Sequence, residues 1–235
     1  MRGDRILVET HHRRAAAAIL ECLRPRIAAR GGPLVVAIAG ESGSGKSELA
    51  DALATVLRDD GIPAVVLQQD DYFVLPPLRN DRRRRCDPSW VGPGEVRLDA
   101  LDASLHAIRS GARSIDKPLV HYAEDRIETE RLSLDDPKVV IVEGTYTSML
   151  SEVDLRIFID RTYRQTADAR RRRAREPQDD FLERVLKTEH RIISRQRATA
   201  NLLVTEAYEV QDADQRTSTA TGGTAPNGAP DRARR

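Results

Sequence analysis

Residues Gly40-Glu41-Ser42-Gly43-Ser44-Gly45-Lys46-Ser47 spell G-x-x-x-x-G-K-[ST], the Walker A pattern. They lie between an apolar run, Leu34 to Ala39, and a helical segment, Ser47 to Arg58, that Gly61 closes. A strand that runs through such a loop into a helix is one half of a crossover unit, so the context predicts a parallel, helix-covered sheet. The glycines let the backbone curl until its N–H groups point inward at a phosphate chain. The helix N-terminus adds partial positive charge. Gly40, Glu41, Ser42, Gly43, Ser44, Gly45, Lys46 and Ser47 are therefore expected to bind ATP, with Lys46 on the outer phosphates and the Ser47 hydroxyl on Mg²⁺.

Further alternation supports an α/β fold with helices on both faces of a mostly parallel sheet. Apolar residues at helical spacing predict a helix over 10–30 with Pro25 kinking it, and Gly31-Gly32-Pro33 ends it. Strands are expected at 64–68, 138–142, 155–160 and 201–205, and helices at 95–109, 163–176 and 179–199. Pro76-Pro77 and the polar stretch through Pro88 read as a long loop, and Ser114 to Val120 as a short extended segment. The resulting division is a helical extension at 1–32, a kinase-type domain at 33–210, and a tail at 211–235. The tail is nearly devoid of apolar side chains and is expected to be disordered.

With 235 residues the chain can build one sizeable core. A net charge of +1 supplies no global field for a polyanion, and an RNP signature with interleaved aromatics is lacking, so nucleic acid is not an expected partner. No apolar stretch approaches the roughly 20 residues of a membrane span. The two cysteines, Cys22 and Cys86, form no C-x-x-C pair. These features suggest a reducing compartment and a cytoplasmic protein.

Three groups of side chains carry chemistry. Asp70 and Asp71 follow the strand at 64–68, where ligands bind in open parallel sheets. A carboxylate there can orient a hydroxyl and accept its proton, and position alone does not choose between the two. Glu143 ends the strand at 138–142, the place of a Mg²⁺-holding acid, beside Gly144. Arg170, Arg172, Arg173 and Arg175 lie on an arginine-rich helix, of which one face can meet ATP while the other stays solvated. Arg82 to Arg85 read either as a solvated loop or as a contact to an anionic substrate. Trp90, His121 and Tyr122 are stacking or packing residues, and His11 and His12, without a metal-ligand partner, are expected on the surface.

Taken in order, Gly40–Ser47, Gln69-Asp70-Asp71-Tyr72-Phe73, Val142-Glu143-Gly144, the segment Asp160 to Arg175 and Ala200-Asn201-Leu202-Leu203-Val204 resemble the uridine kinase and phosphoribulokinase group of P-loop kinases. The resemblance covers about residues 33–210 and implies a three-layer fold, a five-stranded parallel sheet and an Arg-rich lid. It implies Asp70 as the base, Lys46, Arg170, Arg173 and Arg175 on the triphosphate, and Ser47 and Glu143 on Mg²⁺. Tyr72, Phe73, His121, Tyr122 and Arg126 would face the acceptor, the segment Lys117 to Tyr122 being similar to the family's acceptor-binding hairpin. Homo-oligomers are common in that group. The implied activity is ATP-dependent phosphorylation of a small hydroxyl-bearing acceptor, foremost the 5′-hydroxyl of uridine or cytidine. Asp70-Asp71 is closer to nicotinamide riboside kinases, and Asp87 to Pro93 replaces the usual Phe-Asp-His-Pro segment. Other acceptors therefore stay open, among them nicotinamide riboside and a sugar or sugar phosphate, as does a nucleotide-dependent switch without an acceptor.

Overall fold

In the computed structural model, which describes residues 1–2, 6–173 and 179–213, the sheet is organised around β1 (Leu34–Gly40). All seven residues of β1 are buried, because strands flank it on both sides and helices cover both faces. The chain runs α1 (Thr10–Ala28), β1, α2 (Lys46–Asp59), β2 (Ala64–Gln68), α3 (Pro77–Cys86), α4 (Leu98–Arg109), β3 (Ser114–His121) and β4 (Arg126–Ser133). It continues with β5 (Val139–Gly144), β6 (Leu155–Ile159), α5 (Ala167–Arg173), α6 (Asp180–Ile193), β7 (Leu202–Val204) and β8 (Val210–Asp212). The main sheet has the order β2-β5-β1-β6-β7-β8; its first five strands are parallel and β8 pairs antiparallel with β7.

Alternate residues of β1 serve two cores. Leu34, Val36 and Ile38 pack against Leu23 and Ile19 of α1 and Leu49, Leu53 and Leu57 of α2. Val35, Ala37 and Ala39 pack with Tyr72, Leu101 and Leu105 of α4's side and Ile193 at the end of α6. This is the three-layer α/β arrangement. The helix before residue 33 shares the first of these cores.

Several boundaries differ from the sequence reading. The segment 77–86 is helix, not loop: Pro77 occupies the first helical position, where its missing N–H costs nothing, and the arginines that follow favour helix. α1 runs on through Pro25, which lies in its last turn. The extended segment at 114–120 is one strand of an antiparallel hairpin, β3–β4, separate from the main sheet. Gln211 and Asp212 belong to β8, where cross-strand pairing to Leu203 and Leu202 compensates for their polar character. The rest of the tail, from 214, lies outside the described residues.

Candidate active site

The P-loop takes its shape from the β1–α2 junction. Gly45 is the N-cap of α2 with φ +94°, a left-handed conformation that side chains disfavour. Lys46 then begins the helix, and its Nζ donates to the Glu41 carbonyl at 3.0 Å. In parallel register Ile38 lies beside Glu143 and Ala39 beside Gly144, so β5 delivers Glu143 to the base of the loop. There the Ser47 hydroxyl donates to Glu143 Oε1 at 3.1 Å. Two hard oxygen donors at this separation match neighbouring positions of an octahedron with metal–oxygen distances of about 2.1 Å, so the residues present fit Mg²⁺. Among the described residues no group of three or more His, Cys, Asp or Glu could hold a metal.

β2 ends in a 3₁₀ turn, Gln69–Tyr72, which separates the two acids. Asp71 is buried and faces the hairpin: Lys117 Nζ lies 2.8 Å from Oδ2, and the Val120 N–H donates to Oδ1 at 3.1 Å. Asp70 lines a cavity of about 300 Å³ together with Ser42, Gly43, Lys46, Ser47 and Glu143. The turn thus sets Asp70 on the cavity and Asp71 against the hairpin.

The same turn corrects one expected acceptor contact. Tyr72 is wholly buried in the core, its hydroxyl donates to Ser104 Oγ at 3.0 Å, and burial pushes its phenol up to about 12. Phe73 does line the cavity. On the hairpin, successive side chains point to opposite sides. Val120 and Tyr122 therefore reach the cavity, whereas His121 is turned to Glu128, with Nε2 at 2.6 Å from Oε1. Arg126 is also outside the cavity lining, paired on the surface with Glu124 at 2.9 Å and with Glu128.

The far wall is built by α3 and α6. Asn80, Asp81 and Arg84 of α3 face Leu182, Val185, Leu186 and Glu189 of α6 across the space beyond Asp70. Of the run Arg82–Arg85, Arg84 alone lines the cavity. It donates to Glu95 through Nε and Nη2 and to Glu189 through Nη2 at 3.1 Å. Asn80 completes this network, donating to Glu95 and accepting from the Trp90 indole at 2.9 Å. The sequence reading missed this wall with α3. The signal was the proline at the first helical position.

The lid is fastened to the P-loop. The Glu41 carboxylate accepts from the Tyr163 N–H at 2.6 Å and lies 2.7 Å from His190 Nδ1 of α6. The Thr166 hydroxyl donates to the Ser42 carbonyl at 2.7 Å. Arg170 is buried beside Gly43, and its Nη1 donates to the Tyr163 carbonyl and the Thr166 hydroxyl. So Glu41, expected to bind ATP, uses its side chain as a clip to the lid. Arg170 lies at the loop; the side chain of Arg173 and the whole of Arg175 lie outside the described residues.

Residues 35–201 match the model of the "Phosphoribulokinase / Uridine kinase family". The chain belongs to this family. Among curated relatives of this phosphoribulokinase/uridine kinase member, a bifunctional alpha-galactosidase/sucrose kinase of Mediterraneibacter gnavus is 30% identical over 185 residues. That alignment covers 73% of the chain but only 20% of the much longer relative. A uridine kinase of Leuconostoc citreum is 28% identical over 191 residues, covering 75% of the chain and 89% of the relative. A solved phosphoribulokinase from Rhodobacter spheroides superposes with a TM-score of 0.57 at 12% identity, over 74% of this chain and 70% of that one, a likeness of fold. Membership makes the chain a nucleotide-binding P-loop kinase of small molecules. No helix among the described residues is long and apolar enough to cross a membrane.

Proposed function

We propose that this kinase transfers the γ-phosphoryl group of ATP to a primary hydroxyl of a neutral, hydroxyl-rich acceptor, of which the 5′-hydroxyl of uridine or cytidine is the leading case. The observation that carries the reading is the sharing of one cavity by Asp70, Lys46, Ser47 and Glu143 while Asp71 is tied to Lys117. Asp70 orients the acceptor hydroxyl and accepts its proton as the oxygen bonds to the γ-phosphorus and the bond to ADP breaks. Lys46 and the loop amides hold the outer phosphates. Ser47 and Glu143 would hold Mg²⁺, which when bound would offset the charge of the phosphate oxygens. Arg170 and the lid cover the loop and limit loss of phosphate to water.

Charge supports a neutral acceptor. Among the described residues, Asp70, Asp81 and Glu189 stand on its side of the cavity, against Arg84, whose charge meets Glu95 and Glu189, and the Met1 ammonium, whose charge meets Asp71 at 2.9 Å. A second phosphate or a carboxylate on the acceptor would add to this negative balance. A neutral sugar is the second reading, favoured by the relative named as a sucrose kinase. ADP release from MgATP separates these readings when scored over uridine, cytidine, nicotinamide riboside, free sugars and sugar phosphates. Stimulation by a neutral nucleoside or sugar is expected. Stimulation by sugar phosphates alone overturns the neutral acceptor, and slow hydrolysis that no metabolite changes favours a nucleotide switch.

A further inference from the structure

Against the P-loop, and outside the cavity lining, one phenol oxygen gathers three hydrogen bonds. Tyr208 Oη donates to the Ser44 carbonyl at 2.7 Å. It lies 3.1 Å from Arg161 Nη1 and 3.3 Å from His12 Nε2. The proton positions follow from the partners. His12 Nδ1 accepts from the Glu9 N–H at 3.0 Å, so in the neutral ring the proton sits on Nε2 and is donated to Tyr208. Arg161 can only donate, and the phenol's own proton is left for Ser44. The oxygen thus uses its one donor and both acceptor positions. Burial keeps His12 neutral, lowering its pKa to about 4. The sequence placed His12 on the surface; α1 buries it here, beneath the loop.

We infer that Tyr208, His12 and Arg161 form a brace that sets the Ser44–Gly45 peptide for phosphate binding, which makes α1 and the turn before β8 positioning elements of the nucleotide site. In a trans peptide the C=O and the following N–H point in opposite directions. Holding the Ser44 carbonyl toward Tyr208 therefore turns the Gly45 N–H the other way, toward the face that the loop presents to phosphate. Neither Tyr208 nor His12 lines the cavity. Two further observations show that the approach is specific. A Cβ on Gly45 would collide with the Tyr208 hydroxyl, so the phenol occupies the space that glycine leaves. Tyr208 itself is held at φ +59°, an uncommon conformation for a bulky residue, in a turn closed by its N–H to the Thr205 carbonyl at 2.9 Å. His12 and Tyr208 both lie outside residues 35–201, the span of the family match.

The inference rests on the P-loop binding ATP, and calorimetric titration of the full chain with MgATP separates the two claims. Tyr208→Phe keeps the ring and removes the oxygen; roughly tenfold weaker MgATP binding is expected, with the denaturation midpoint of the nucleotide-free protein reported alongside. His12→Gln retains a terminal N–H donor and is expected to stay within about threefold of the parent, while His12→Leu falls with Tyr208→Phe. MgATP affinity in Tyr208→Phe within twofold of the parent overturns the brace, as does equal weakening by His12→Gln and His12→Leu. A parent chain that does not bind MgATP overturns both the brace and the nucleotide reading.

Discussion

Asp70 and Asp71 are neighbours in the chain and opposites in setting. Asp71 neutralises the buried Lys117 ammonium, which also touches Glu130 at 3.2 Å, and so joins the hairpin to the sheet. Asp70 faces the loop that holds phosphate. Replacing each should separate chemistry from architecture. Asp70→Asn is expected to lose about 10²- to 10⁴-fold in turnover, the usual range for a general base, with MgATP affinity within twofold of the parent in calorimetry. Asp71→Asn leaves Lys117 without its buried counter-charge, and its first effect is expected in denaturant midpoint. That an acid at the end of β2 would matter was legible from strand position alone. Their different settings were not, because the placing of Asp71 depends on Lys117, which comes close only when the hairpin folds over the turn. Tyr72 illustrates the same limit: a 3₁₀ turn advances about 120° per residue, so Tyr72 and Phe73 part company, one to the core and one to the cavity.

At the scale of elements, the site is a space between the P-loop, the hairpin, α3 and α6. α5 and α6 are held to the P-loop through Glu41, by way of the Tyr163 N–H and His190. α3 meets α6 through Arg85, whose Nη2 lies 3.1 Å from Asp179 and whose guanidinium stands 4.3 Å from the Phe181 ring centroid. Glu41→Ala removes both bonds of the clip. Limited proteolysis without nucleotide should then cut the lid several-fold faster than in the parent, since local opening sets such rates; an unchanged rate would show that Thr166 and Arg170 suffice. The lid was legible as an arginine-rich helix following β6. The clip was not, because a glutamate inside a Walker A pattern carries no mark of where its side chain will turn. α3 was hidden for a simpler reason: paired prolines are typical of loops, although here the second of them begins a helix.

For the whole molecule, the five parallel strands could be read from their apolar runs, while β8 could not, its residues being polar and supplied with order by β7. α1 was legible as a helix but not as a neighbour of the P-loop, because His12 meets a residue 196 positions further along the chain, Tyr208. That burial has a pH consequence. Desolvation first, then His11 and Arg161, lower the His12 pKa to about 4, against the opposing pull of Glu48 and Glu9. The unfolded chain takes up the proton near pH 6.5 and the folded chain only near 4, so this group's contribution to stability is complete above about 6.5 and declines as pH falls toward 4. Thermal denaturation of the parent and His12→Gln over that interval should show the steeper loss in the parent. The strand order carries a consequence of another kind, in time. β1 and its phosphate loop are complete by residue 47, yet the strands that flank β1 end at Gly144 and Ile159. A nascent chain must carry its P-loop as an unsupported segment through more than a hundred further residues of synthesis, and acquires a nucleotide site only when β5 and β6 have left the ribosome and closed around it.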